Sequence, residues 1–118
     1  MSLKVEKYKN CTVVKIQAEK LDLDMAPDLK AHFVSISTEG AKNIILDLSD
    51  ARYCDSSGLS AILVGNRLCK NAGGKLVLTG VKEAIKKLII ISQLDSILNS
   101  AVSVDDGIKL LDELETSK

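Results

Sequence analysis

The chain has 118 residues, a length that suits one compact domain with a two-layer core. Its 16 basic and 16 acidic residues cancel, which argues against a protein that grips a nucleic-acid backbone or anchors to a membrane surface through basic charge. No apolar run approaches the roughly 20 residues of a membrane-spanning helix, and the N-terminus lacks the apolar core of a signal peptide. We therefore expect a single domain over residues 1–118, located in the cytoplasm.

Cysteine and histidine are too sparse to suggest a disulfide framework or a metal centre. Cys11, Cys54 and Cys69 are odd in number and have no CxxC spacing, so we expect them to be small buried hydrophobic residues. His32 is the only histidine and has no second ligand at metal spacing. The sequence therefore predicts no metal and no cofactor.

The first part of the chain predicts two strands and a helix. In chain order the elements are strands over 4–8 and 12–18, an acidic loop over 19–24 and a helix that ends at Gly40. We expect the helix to begin near Asp24, because aspartate is a good N-cap and Pro27 fits a first turn, where a missing N–H does no harm.

The second part predicts alternating strands and helices. In chain order they are a strand over 43–48, a helix over 57–72, a strand over 75–79, a helix from 81 to about 92, a short edge strand over 97–99 and a helix over 104–114 capped by Ser103 or Asp105. Strand, helix and strand in succession form a βαβ unit, whose strands are parallel neighbours. The predicted fold is an α/β domain with a mixed sheet of four or five strands and helices mostly on one face.

The helix predicted over 57–72 carries two apolar stripes. One consists of Leu59, Ile62 and Leu63, and the other of Ala61, Val64 and Leu68. A helix on one face of a sheet needs only one such stripe. The second stripe indicates either packing against a neighbouring helix or contact with a protein partner.

Hydroxyl side chains concentrate at the start of this helix, in the segment Asp55-Ser56-Ser57-Gly58. A serine in this position either caps the helix, by accepting a backbone N–H bond, or accepts a modification where the positive helix end favours an anion. Asp55 would either orient the Ser56 hydroxyl or form the turn. Gly58 would leave room for an enzyme that approaches the hydroxyl.

Enzymatic motifs are missing around these serines. The segment is not the Gly-x-Ser-x-Gly elbow of hydrolases, and His32 lies on another predicted helix. Gly73-Gly74 ends a helix and does not open a phosphate-binding loop. Asp47 follows a buried strand but lacks the clustered acidic residues of a phosphate receiver. The sequence therefore does not predict an enzyme.

Nearly the whole chain resembles a STAS domain of the anti-sigma factor antagonist family. The resemblance is carried by Asp55-Ser56-Ser57-Gly58-Leu59 with Ala61-Ile62-Leu63, Asp22 with Ala26-Pro27, Gly73-Gly74, and Leu88-Ile89 with Ser92-Gln93-Leu94. One departure lies in the first loop, Glu19-Lys20-Leu21-Asp22, which keeps the family's aspartate but lacks the Gly-Glu that usually precedes it. This change bears on partner identity more than on the fold.

The resemblance implies a binding module that is switched by phosphorylation. In the family the modified hydroxyl follows the aspartate directly, which is Ser56 here; Ser57 stays open as the alternative. The unphosphorylated protein would bind an anti-sigma factor that is also a GHKL-type serine kinase, and would thereby free a sigma factor; a serine phosphatase would reset it. The partner-binding residues would be Asp22, Asp55, Ser57, Gly58, Leu59 and Asn66.

A second function stays open. STAS-like domains also serve as accessory subunits of lipid-transport ATPase complexes, in which the Asp55–Gly58 region would be an interface without phosphorylation. A serine hydrolase is a third alternative. The kind of protein that co-purifies with the chain, a serine kinase or a transporter ATPase, separates the first two functions.

Overall fold

The structure, a computed structural model, describes residues 3–116. The strands are β1 (Leu3–Lys7), β2 (Thr12–Ile16), β3 (Lys20–Leu21), β4 (Ile44–Asp47), β5 (Tyr53–Cys54), β6 (Leu76–Thr79) and β7 (Asn99–Ala101). The helices are α1 (Ala26–Thr38), α2 (Ser56–Asn71), α3 (Glu83–Ile91) and α4 (Val104–Thr116). None of the helices in residues 3–116 has the length and apolar character needed to cross a membrane.

Five strands form one mixed sheet in the order β1-β2-β4-β6-β7. β1 is antiparallel to β2, and every other neighbouring pair is parallel. The central strand β4 buries Ile44, Ile45 and Leu46, which explains its unbroken apolar sequence. The parallel pair β4 and β6, joined through α2, confirms the predicted βαβ unit. The sheet as a whole confirms the predicted fold class.

The helices divide unequally between the two faces of the sheet. Ile44 and Leu46 belong to the larger core cluster, which they share with residues of α1, α2 and α3. Ile45 belongs to a smaller cluster on the opposite face, where it meets Leu111 of α4. Three helices on one face and one on the other agree with the prediction that the helices lie mostly on one face.

Close packing of α2 against α1 explains the second apolar stripe of α2. Gly65 continues this stripe, four residues after Ala61 and three before Leu68. A Cβ atom at Gly65 would lie 2.6 Å from the Phe33 ring of α1. The stripe therefore packs against a neighbouring helix and does not require a partner protein.

A two-stranded parallel sheet of β3 and β5 was not predicted. Its strands contain two residues each, too few for a period-two pattern to be visible in the sequence. The backbone N–H groups of Arg52 and Tyr53 both donate to the Glu19 carbonyl oxygen, and that of Asp55 donates to the Leu21 carbonyl oxygen. These bonds hold the loop before α1 directly beside the start of α2.

The start of α1 differs from the prediction. The N-cap is Met25, whose side chain makes no capping bond, and the first helical residue is Ala26. The backbone N–H groups of Met25 and Ala26 donate to the Asp22 carbonyl oxygen at 3.1 and 2.9 Å. The Asp24 N–H donates to Asp22 Oδ1 at 3.1 Å. Asp24 therefore lies within a turn organised by Asp22 and does not cap the helix.

Three element boundaries in the C-terminal half differ from the prediction or refine it. α3 begins at Glu83, two residues later than expected. The edge strand starts at Asn99 because the N–H groups of Ile97 and Leu98 donate to the Leu94 carbonyl oxygen in a turn. Ser103 caps α4, since its Oγ accepts the Asp106 N–H at 3.2 Å; this settles the choice between Ser103 and Asp105.

Candidate functional site

Asp55 is the N-cap of α2. Its backbone is extended, and its Oδ1 atom accepts the Gly58 N–H at 2.9 Å. Of the two roles left open for the serines, capping is therefore excluded, because the aspartate occupies the capping position. The Asp55 carboxylate serves the turn, the second of the two roles expected for it.

The same carboxylate connects two segments that are far apart in the sequence. Asp55 Oδ2 accepts the Leu23 N–H at 3.1 Å, while Oδ1 holds Gly58. One side chain thus fixes the loop before α1 and the first turn of α2 together. The Asp22 loop and the start of α2, both of which hold residues expected to bind the partner, are therefore adjacent.

Ser56 is the first residue of α2, and its side chain is exposed. Ser57 follows it and is half-buried. Within residues 3–116 the Ser56 hydroxyl has no hydrogen-bond partner. The first intrahelical bond is donated by Leu59 to the Asp55 carbonyl oxygen, so the N–H groups of Ser56 and Ser57 face outwards from the helix end. Ser56 therefore combines an available oxygen with an electropositive backbone.

A shallow groove runs past these serines towards α1. It is lined by Leu23, Ala26, Pro27, Lys30, Ser56, Ser57 and Ser60. Leu23 is 68% exposed, and the hydrogen bond from its backbone N–H to Asp55 holds it beside the start of α2. The half-buried Lys30 is the cationic side chain among these lining residues. The groove thus places an apolar contact point and a positive charge beside Ser56.

Gly58 and Leu59 lie on the inner side of α2. A Cβ atom at Gly58 would collide with the Leu21 carbonyl oxygen and would lie 2.9 Å from Cys54 Sγ. The expectation that Gly58 leaves room for an approaching enzyme is therefore wrong: it leaves room for β3. Leu59 is 7% exposed and belongs to the main core, so its side chain offers little surface to a partner.

Asp22 and Asn66 lie at different distances from this site. Asp22 is half-buried, and its Oδ1 atom stabilises the turn that leads to Leu23. Asn66 is also half-buried but lies ten residues beyond Ser56 on α2. At 1.5 Å per residue it is about 15 Å along the helix axis from Ser56. The structure therefore groups Asp22 with Asp55 and Ser57 and leaves Asn66 apart.

Cys54 is a packing residue next to the site. Its Sγ donates to the Asp55 carbonyl oxygen at 3.3 Å, and it belongs to the main core. Burial, and secondarily the nearby Asp55 carboxylate, raise the pKa of the Cys54 thiol to about 12. Because the thiolate is the reactive form, this thiol is a poor nucleophile at neutral pH.

His32 is not part of the groove. Its Nδ1 atom is 2.8 Å from the Asp28 carbonyl oxygen, one turn earlier in α1. Residues 3–116 contain no group of three or more His, Cys, Asp or Glu side chains arranged to hold a metal ion. His32 is therefore not the partner of the Ser56 hydroxyl.

Sequence reasoning missed Leu23 and Lys30. The sequence contained a signal for Leu23, because it is an apolar residue between two aspartates, Asp22 and Asp24, in a predicted loop. Lys30 carries none, because a lysine on a helix is ordinary, and only the packing of α1 against α2 brings it to Ser56.

Comparison with known proteins places this arrangement in a family. The anti-sigma-B factor antagonist of Bacillus subtilis (strain 168) is 26% identical over 110 residues, which cover 92% of this chain and all of that protein. RsbS of Moorella thermoacetica, solved as a serine-to-glutamate variant, has a TM-score of 0.82 at 23% identity, with 98% of this chain and 99% of that chain covered.

A third relative has been solved in two forms. The anti-sigma factor antagonist SpoIIAA, unphosphorylated, has a TM-score of 0.73 at 16% identity, and 96% of this chain and 97% of that chain are covered. Phosphorylated SpoIIAA from Bacillus has a TM-score of 0.71 at 18% identity, covering 95% and 98%. These likenesses establish the fold. The family model described as "STAS domain" matches residues 2–107, and the chain therefore belongs to the STAS domain family.

Proposed function

We propose that this protein is an anti-sigma factor antagonist whose binding is switched by phosphorylation of Ser56. Unphosphorylated, it binds an anti-sigma factor that is also a GHKL-type serine kinase, and so releases a sigma factor. A serine phosphatase restores the binding form. The proposal implies a cytoplasmic protein, because its partners regulate transcription.

One observation carries this proposal: Ser56 stands exposed at the first position of α2 while Asp55 does the capping. A hydroxyl without a structural task can be modified without loss of a structural bond. The name of the B. subtilis relative supports the antagonist role, and the phosphorylated form of SpoIIAA supports a phosphorylated family member.

The fold is expected to tolerate a phosphate at Ser56. Phosphorylation adds about −1.5 to −2 charges at neutral pH. The outward N–H groups of Ser56 and Ser57 and the helix dipole favour an anion at this end of α2. The stability of the domain should therefore change little.

The partner is expected to lose affinity because of the phosphate's position. Leu23 lies in the same groove as Ser56 and is the large apolar side chain that a partner would cover. A phosphate next to such a contact must be desolvated, and it can also meet a like charge, which can cost several kcal/mol. A loss of roughly a hundredfold in affinity corresponds to about 2.7 kcal/mol and lies within this range.

Partner capture and site mapping test the proposal. The chain is used as bait in a lysate of its host cell, the captured proteins are identified, and the captured serine kinase is incubated with the chain and ATP. We expect mass spectrometry to place one phosphate on Ser56 and the phosphorylated chain to lose the kinase. Ser56→Ala should remain unmodified, whereas Ser57→Ala should still receive its phosphate on Ser56.

Two results would contradict this function. Phosphate on Ser57 alone would refute the residue assignment, and undiminished binding by the phosphorylated chain would refute the switch. Capture of a transporter ATPase instead of a kinase would favour the accessory-subunit function.

A further inference from the structure

The two edges of the five-stranded sheet differ in charge. The outer strand β1 carries Lys4, Glu6 and Lys7, and the opposite outer strand β7 consists of Asn99, Ser100 and Ala101. Charged side chains on an edge strand discourage pairing with another chain. β1 is therefore protected in this way, whereas β7 has no charged residue.

Exposed apolar side chains lie at the end of α3 and on the segments that flank β7. Ile90 and Ile91 at the end of α3 are 51% and 78% exposed, and Ile97 and Val102 on either side of β7 are 52% and 85% exposed. They are four of the nine large hydrophobic residues that stand exposed in residues 3–116. We call these four residues together with β7 the β7 surface. Ile90 and Val102 line one groove, and exposed apolar residues that share a surface mark a protein contact more often than isolated residues do.

A groove between α3 and β7 continues this surface. Leu78, Ile89 and Leu98 contribute apolar side chains to it, and Lys86 and Asp95 add opposite charges. Neither Lys86 nor Asp95 forms an ion pair within residues 3–116. The groove therefore presents both an apolar floor and a charge of each sign.

We propose that a second copy of this chain binds the β7 surface, with β7 pairing antiparallel to β7 of the partner across a two-fold axis at Ser100. A two-fold contact requires a self-complementary surface. The exposed apolar residues can face their own counterparts, and Lys86 of one copy can meet the partner's Asp95. The chain has no net charge, so the two copies do not repel each other at long range.

The two-fold axis also determines the register of the pairing. Leu98 and Val102 are equidistant from Ser100, so Val102 of one copy falls opposite the partner's Leu98. The groove lies on the face covered by α3, so the axis brings the two α3 helices together above the joined strands. Ile90 and Ile91 of the two copies then pack against each other between the two α3 helices.

Such a dimer leaves the groove at Ser56 available. The residues that line the groove at Ser56 share no member with those that line the groove beside β7. Each dimer would therefore offer two Ser56 sites to partners. This inference does not depend on the proposed switch, since it concerns a separate surface.

Sedimentation velocity over a series of protein concentrations tests the dimer. We expect the purified wild-type chain to shift from monomer to dimer as its concentration rises. Ile91→Glu and Val102→Glu should each raise the dimer dissociation constant at least about tenfold, because each places a charge in the contact between the copies. Val34→Glu is the matched control, since Val34 is 51% exposed on α1 and lies outside the β7 surface.

A charge exchange gives a second, independent test. Lys86→Asp and Asp95→Lys should each weaken the dimer, and the double exchange should restore it, because the two charges meet only between copies. The substituted residues of both tests are exposed, so the variants should fold, which circular dichroism can check; they are Lys86, Ile91, Asp95 and Val102. A chain that stays monomeric at every concentration refutes the proposal and leaves the surface to another protein. A dimer that is unaffected by Ile91→Glu and Val102→Glu refutes it as well.

Discussion

Replacement of Asp55 by alanine removes two hydrogen bonds with a single change. The Asp55 carboxylate accepts the Gly58 N–H at 2.9 Å and the Leu23 N–H at 3.1 Å. Without it, the helix loses its cap and the loop before α1 loses its attachment to α2. We therefore expect Asp55→Ala to destabilise the domain and to loosen the surface around Ser56.

The two bonds contribute unequally to the free energy of unfolding. Loss of an aspartate N-cap typically costs about 1 kcal/mol, within a range of roughly 0.5–2. The bond to Leu23 lies at the lower end of the usual range, about 0.5 kcal/mol, because the exposed N–H can bind water instead. We expect a combined loss of about 1.5 kcal/mol, which corresponds to a fall of roughly 5–8 °C in Tm for a domain of this size.

Urea denaturation of a small set of variants separates the two bonds. Asp55→Asn keeps one oxygen for the Gly58 N–H and loses the acceptor for Leu23, so it should cost only about 0.5 kcal/mol. Amide hydrogen exchange should then accelerate at Leu23 while Gly58 stays protected. Ser56→Ala is the matched control and should change stability by less than about 0.5 kcal/mol.

The comparison of Ser56→Ala with Asp55→Ala decides which residue caps α2. If Ser56→Ala lost about 1 kcal/mol while Asp55→Ala lost nothing, the cap would be the serine and the hydroxyl would not be free. Equal losses in Asp55→Asn and Asp55→Ala would show that the cap bond depends on the carboxylate charge and not on one oxygen.

Three further expectations concern residues around the same site. Gly58→Ala should lower the free energy of unfolding by more than about 2 kcal/mol in urea denaturation, because the added Cβ collides with the Leu21 carbonyl oxygen; a neutral effect would contradict this close approach. Because the pKa of the Cys54 thiol is raised in the folded protein, its contribution to stability is fully present below the unfolded pKa of about 8.5 and is lost as the pH rises towards 12, by up to about 1.4 kcal/mol per pH unit. The free energy of unfolding should therefore fall less steeply with pH in Cys54→Ala than in the wild type. An unchanged slope would show that Cys54 ionises freely. Leu23→Ala should leave Tm unchanged and weaken binding of the captured partner about tenfold or more, whereas Val34→Ala should affect neither; equal affinity in both would move the interface away from Leu23.

The large-scale fold was predictable because its signals are long. Residues 43–48 are almost continuously apolar, the next segment has helical spacing, and Gly73-Gly74 ends it before another apolar strand. These signals fixed the βαβ unit. β3 and β5 left no such signal, because a pairing of two residues with two depends on partners that are more than thirty residues apart.

The details of the site depend on competition between similar residues. Asp55, Ser56 and Ser57 are all good N-caps, so propensity could not choose among them. The structure favours Asp55, whose two carboxylate oxygens bind Gly58 and the Leu23 loop at once, whereas a serine offers a single oxygen. The role predicted for Asp24 was wrong for a related reason. The carbonyl oxygen of Asp22, and not a side chain of Asp24, accepts the N–H groups of Met25 and Ala26 where α1 begins.

The division of labour between Asp55 and Ser56 bears on how such a domain can evolve. A residue that neither caps a helix nor fills the core can be exchanged for alanine, threonine or glutamate at a cost to folding of less than about 0.5 kcal/mol. Under the proposed switch, one substitution at position 56 would make the protein permanently active, change the kinase that recognises it, or silence it. Asp55 and Gly58 have no such freedom, because the architecture of the helix start depends on both of them.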